Sequence, residues 1–198
     1  MLKIGVTGGI GSGKSLVCKI FASLGYKIYE ADHRAKWLMN HQPELIEAIR
    51  DLFGEKAYLD DGTLDRAYIG GIVFNDQTQL ARLNSIVHPA TGKDFDQWVE
   101  QIPPSYQKPF VLKEAAILFE SGAYRQSDAV ITVYAPKKLR IERVVNRDNT
   151  TVEAVLNRMD KQWPEWKKNQ LADFTIINDG LHPLTSQIVS AIQFFTPA

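Results

Sequence analysis

A chain of 198 residues can bury one good core, or one core carrying an inserted subdomain, and two independent domains are not expected. Lysine plus arginine equals aspartate plus glutamate, 23 against 23, so no global field draws the chain to nucleic acid or to an anionic membrane, and small-molecule partners are expected. The one cysteine, Cys18, can form no internal disulfide. Together with an opening Met-Leu-Lys-Ile-Gly-Val that leads into a strand rather than a signal peptide, and no window near the roughly 18 apolar residues of a membrane span, it points to the cytoplasm.

Leu2 to Thr7 reads as a short buried strand, and Val17, Ile20, Phe21 and Leu24 recur at helical spacing until Gly25. Between them, Gly8-Gly9-Ile10-Gly11-Ser12-Gly13-Lys14-Ser15 fits G-x-x-x-x-G-K-[ST] without a gap. Strand, glycine loop and helix form the P-loop arrangement. The glycines let the backbone curl so that N–H groups point at phosphate oxygens, and the positive end of the following helix adds to the field. Lys14 is expected to reach the terminal phosphates of a nucleoside triphosphate, and the Ser15 hydroxyl to bind magnesium.

Tyr26 to Tyr29 predicts a second strand, expected to neighbour the first, that runs into Glu30-Ala31-Asp32. In open α/β sheets that strand end is where ligands bind. Asp32 is suited to accept a hydroxyl proton and to help hold magnesium, or to cap a helix starting at His33. A helical stretch follows, with Pro43 in a first turn and Leu45, Ile46, Ile49, Leu52 and Phe53 forming an apolar stripe that Gly54 ends. Asp65 predicts the cap of a helix carrying Ile69, Ile72 and Val73, and Leu80, Leu83, Ile86 and Val87 predict one more that stops before His88-Pro89.

Strand character returns at Phe110 to Leu112, directly followed by Glu114, and again at Ala129 to Tyr134, closed by Pro136. The next helix carries Leu139, Ile141, Val144 and Val145, with Arg140, Arg143 and Arg147 at spacings of three and four on one face. Guanidinium groups there match phosphate oxygens, although for Arg140 pairing with a surface acid is the expected role. Thr150 with Glu153 predicts a capping box for a helix through Met159, which Trp163-Pro164 breaks. Phe174 to Ile177 is the last strand, followed by the turn Asn178-Asp179-Gly180 and a closing helix with Ile188, Val189, Ile192 and Phe195. Strands alternating with helices imply an α/β fold with a parallel sheet covered by helices on both faces.

Taken together, G-V-T-G-G-I-G-S-G-K-S, Glu30-Ala31-Asp32, Leu64-Asp65-Arg66, Ile72-Val73-Phe74, His88-Pro89, Ile117-Leu118-Phe119-Glu120, Arg147-Asp148 and Ala172-Asp173 through Asn178-Asp179-Gly180 resemble the dephospho-CoA kinase family over nearly the whole chain. The resemblance implies a single P-loop kinase domain over 1–198, with a helical acceptor-binding subdomain at about 33–100 and a lid at about 143–165. It implies transfer of the ATP γ-phosphoryl group to the ribose 3′-hydroxyl of dephospho-CoA, with Mg2+, in a monomer or weak homo-oligomer. Carried over by residue, it makes Gly8, Gly11, Ser12, Gly13, Lys14, Ser15 and Leu16 the ATP-binding run, with Asn178 joining them. Asp32 becomes the catalytic carboxylate, Lys14 and Arg147 catalytic cations, Arg147 as a lid residue facing the phosphates, and Ser15 and Asp32 the magnesium ligands. Glu30 replaces the family's usual aspartate, Leu16 its threonine and Ala116 its proline, and none of these removes Lys14, Ser15 or Asp32. Another small kinase of the nucleoside monophosphate or shikimate type would share the sheet, P-loop and arginines but not the downstream motifs. A guanine-specific switch would carry N-K-x-D, which does not occur in the chain.

Overall fold

A computed structural model describes residues 1–196. Strands β1 (Leu2–Thr7), β2 (Ile28–Glu30), β3 (Phe110–Glu114), β4 (Ala129–Tyr134) and β5 (Phe174–Ile177) form a five-stranded sheet in the order β2-β3-β1-β4-β5. Every pairing is parallel. Parallel strands need crossovers, and the helices that make them cover the sheet. Helix α1 (Lys14–Ser23) follows the glycine loop, and the chain's last helix, Leu184–Phe195, packs beside it.

The apolar faces of these helices explain the core. Ile4 and Val6 of β1 meet Val17 and Phe21 of α1, Leu112 of β3, Val133 of β4, and Ile188, Ala191 and Phe195 of the closing helix, all buried. Tyr26 stacks on Phe110 at 4.5 Å between centroids. That packing accounts for a difference from expectation: Tyr26 spends its ring in the core before the strand begins, and β2 starts at Ile28, in register with Leu112. On β1, Gly5 lets the Leu118 side chain approach where a Cβ would collide with it.

The sheet order also corrects the expected neighbour of β1. β3 lies between β2 and β1, with Glu30 opposite Glu114 and Glu114 opposite Val6. Local pattern carries no information on strand order, which depends on how the whole chain packs.

Residues 31–102 form a compact unit of their own. Its helices are α2 (Ala31–His41), α3 (Pro43–Phe53), α4 (Arg66–Asn75) and α5 (Gln77–Glu100). They enclose a separate core of Leu38, Leu45, Ile49, Phe53, Tyr58, Leu64, Ile69 and Val87. Asp65 caps α4 as expected, accepting the N–H groups of Ala67 and Tyr68. Two expectations fail. Helix α2 begins at Ala31, straight from the strand, so Asp32 lies inside its first turn and is not its cap. Helix α5 runs unbroken through Pro89 for 24 residues. A proline inside a helix costs about 3 kcal/mol, and burial of Val87 on one side of it and of Thr91 and Phe95 on the other offsets that cost.

The chain returns to the sheet at β3, and α6 (Lys137–Asp148), α7 (Val152–Met159) and α8 (Glu165–Leu171) connect β4 to β5, with α9 (Leu184–Phe195) closing the chain. Thr151, not Thr150, caps α7 by accepting the Ala154 N–H at 3.2 Å. Helix α8, absent from the sequence pattern, begins directly after Pro164. Among the described residues no helix is long and apolar enough to cross a membrane.

Candidate active site

The glycine loop is gripped from outside by groups that leave no space for side chains. Gly13 has φ +95°, and a Cβ there would strike the Asn178 amide nitrogen; at Gly9 it would strike the Arg140 guanidinium and the Glu165 carboxylate. Gly13 is also the N-cap of α1, without a side-chain cap. A helix start of this kind offers its backbone N–H groups to an anion. Lys14 is nine-tenths buried and donates to the Gly8 carbonyl at 3.0 Å, while Ser15 is exposed beside it.

Gly11, Gly13, Lys14 and Ser15 line a cavity of about 150 Å³ together with Arg143, Val144 and Arg147 of α6. Arg143 and Arg147 thus stand beside the loop, and the three arginines play different parts. Arg143 donates to the Asn178 carbonyl at 3.0 Å. Arg147 shares the Asp148 carboxylate with Arg158, at 2.7 and 2.8 Å. These two guanidinium groups hold the Asp148 carboxyl down at about 2, and they do so mainly through hydrogen bonds. Arg140 departs from the surface role expected of it: it is buried, and its guanidinium pairs with Glu165 at 3.3 Å.

Asn178 joins the loop, as a support for its backbone. Its side-chain amide donates to the Ser12 carbonyl at 2.8 Å, and its own N–H donates to Tyr134 of β4 at 2.7 Å. Ser12 is buried with it. Leu16 is half exposed and its N–H donates back to the Gly13 carbonyl. Asp32 and Glu30 flank the β2–α2 junction, both exposed. His88 lies mid-helix in α5. Cys18 is buried, and its thiol is pushed far up, first by burial and then by Glu114, which leaves it inert as a nucleophile.

Sequence reasoning missed the supports that arrive from far along the chain. The Gln162 side chain accepts the Ile10 N–H at 2.8 Å across 152 positions. Glu120 accepts the Trp163 N–H at 2.8 Å and pairs with the fully buried Lys168 at 2.8 Å. No local pattern marks Gln162 or Lys168, whereas Glu120 stands in the Ile117-Leu118-Phe119-Glu120 run that resembles the family.

Residues 2–183 match the family model described as dephospho-CoA kinase. The chain belongs to the dephospho-CoA kinase family. Among curated relatives it is 39% identical over 194 residues to a dephospho-CoA kinase of Porphyromonas gingivalis, spanning 98% of this chain and 94% of that one. To that of Chlorobaculum tepidum it is 43% identical over 197 residues, spanning 97% and 94%. Among solved structures, a Thermus thermophilus protein superposes with a TM-score of 0.86 at 29% identity, covering 100% of this chain and 98% of that one. The dephospho-CoA kinase of Campylobacter jejuni gives 0.68 at 30% identity, covering 96% and 95%. Membership makes the chain an ATP-binding kinase of the α/β P-loop type.

Proposed function

We propose that the chain transfers the γ-phosphoryl group of ATP to the ribose 3′-hydroxyl of dephospho-CoA, giving coenzyme A and ADP. The observation that carries this reading is the cavity where the loop's Lys14 and Ser15 face Arg143 and Arg147, in a chain that matches the family over nearly its full length. Phosphoryl transfer asks mainly for positioning and for cations around the γ-phosphate. Lys14 neutralises charge that builds on the oxygen between the β and γ phosphates, and the loop amides hold the phosphates in line. Arg147 covers the γ-phosphate from α6.

Asp32 acts as the general base. It follows Glu30, the last residue of β2, by two positions, and Glu30 stands in register with Glu114 at the end of β3. As the ribose oxygen forms its bond to the γ-phosphorus, its proton passes to the Asp32 carboxylate, and the bond to the β–γ bridging oxygen breaks with its electron pair leaving on ADP. Magnesium in kinase sites takes one or two protein oxygens and completes its shell with phosphates and water. The exposed Ser15 hydroxyl at the cavity wall suits that thin donor set, with Asp32 as the second oxygen; the ion supplies neutralisation of the transferring phosphate. The helical unit, about 33–100, binds the acceptor, and about 143–165 serves as lid. We place the protein in the cytoplasm as a monomer or weak homo-oligomer, without nucleic-acid or membrane partners.

A coupled ADP-release assay with dephospho-CoA, nucleoside monophosphates and shikimate tests the substrate. ADP release that depends on dephospho-CoA is expected, and an enzyme indifferent to it overturns the reading. Asp32→Asn should lower turnover by about two to four orders of magnitude with ATP binding unchanged. Parental turnover in that variant removes Asp32 from the chemistry.

A further inference from the structure

We propose that Gln162 is a positioning residue for ATP, one that sets the shape of the phosphate loop through a single peptide plane. The inference rests on the reading of that loop as an ATP site, and it concerns a residue outside the loop, the arginine face and the carboxylates discussed above.

The peptide group between Gly9 and Ile10 is planar and trans, so its N–H and its C=O point in opposite directions. Gln162 Oε1 accepts the Ile10 N–H at 2.8 Å. The Gly9 carbonyl on the other side of the same plane accepts the Ser12 N–H at 3.0 Å. That second bond closes a turn from Gly9 to Ser12, and the turn delivers Gly13, Lys14 and Ser15 to the cavity. Asn178 does the same for the peptide plane three further on, between Ser12 and Gly13: it holds the Ser12 carbonyl outward, which leaves the Gly13 N–H facing the opposite way. Rotation of the Gly9–Ile10 plane by water would open the turn and misplace the amides that follow it.

Gln162 can hold this plane because its own backbone is fixed. The neighbouring Trp163 N–H donates to Glu120, whose carboxylate also pairs with Lys168, a side chain with 0% exposure. The Trp163 ring lies parallel to Phe119 at 6.4 Å, and Lys167 sits over it at 3.5 Å. Two residues further on, Glu165 pairs with Arg140, and that pair abuts Gly9. The strap 162–168 is thus anchored to the segment after β3 and to α6, and Gln162 carries that anchorage to the loop.

Gln162→Met keeps the length of the side chain and removes the acceptor; Gln162→Glu restores an acceptor oxygen. Binding of a non-hydrolysable ATP analogue with Mg2+, measured by calorimetry without acceptor, should weaken about three- to tenfold in Gln162→Met, the factor that one hydrogen bond of ordinary net strength implies. Gln162→Glu should stay closer to the parent than to Gln162→Met. In turnover, KM for ATP should rise in Gln162→Met while KM for dephospho-CoA holds. In the parent, the Ile10 amide should be protected from hydrogen exchange. Parental analogue affinity in Gln162→Met, equal weakening in both variants, a parallel rise of both KM values, or an unprotected Ile10 amide each overturns the proposal. Because the analogue titration needs no acceptor, failure to phosphorylate dephospho-CoA would overturn the proposed function and leave this test standing.

Discussion

The backing of the phosphate loop and the arginine cluster at the end of α6 are built by opposite means, although both face nucleotide on the proposed reading. Behind the loop, buried groups act on backbone: Asn178 is 6% exposed and Arg140 7%, and they leave the glycines one conformation. In the cluster, Arg147, Asp148 and Arg158 are 64%, 26% and 51% exposed, and they act on one another. Left-handed Asn149, with φ 48°, and the Thr151 cap separate α6 from α7 immediately after them. Exposed ion pairs are worth about 0–1 kcal/mol, so the cluster rearranges cheaply. Breaking a buried pair costs about 3–5 kcal/mol, so the loop does not. Preorganised donors serve catalysis where charge develops, and a cover that must admit ATP and release ADP needs weak, screened contacts.

The contrast can be broken most directly at Lys14, the cation the loop itself supplies. Lys14→Ala should cut turnover by about a thousandfold or more with the fold intact by circular dichroism; near-parental turnover would take the loop out of the mechanism. Arg140→Ala comes next, as a loss of stability. It strands the Glu165 carboxylate against Gly9, and urea unfolding should show a loss of about 3–5 kcal/mol. A variant as stable as the parent would show that the loop's backing is no firmer than the cluster.

Arg147→Ala sharpens the other side. One helix face carries both residues, yet this variant should lower kcat by about a hundredfold and leave the urea midpoint unmoved. The smallest effect is expected at Asp148. Its carboxyl is held at about 2 against an ordinary 3.8 by hydrogen bonds from Arg147 and Arg158, a depressed value in the folded state. Such a group stabilises the fold fully above its ordinary value, and the contribution is lost as pH falls through about 2. Melting temperature between pH 4 and pH 2 should therefore fall less steeply in Asp148→Asn than in the parent, from a slightly lower value at pH 7, so that the two converge near pH 2. Superimposable acid limbs would mean that the cluster contributes nothing to stability.

The amino-acid sequence alone determined the elements whose causes are local. β1, the glycine loop and α1 follow from apolar spacing and an eight-residue pattern. Asp65 caps α4 because a carboxylate before a helix meets N–H groups two and three residues on. That Arg143 and Arg147 share a helix face was legible too, from their spacing, whereas the place of Arg147 near the phosphates was implied only by the family resemblance. Tertiary structure alone decided that β3 separates β2 from β1, that α5 passes through Pro89, and that Arg140 is buried where its spacing matched an exposed neighbour. It also brought Gln162 and Glu165 to the loop. These outcomes depend on contacts between residues far apart in the chain, 152 positions in the case of Ile10 and Gln162. A periodic pattern records which face of an element is apolar, but the partner that covers that face, and the buried polar groups that must then pair, are set only when the whole chain has packed.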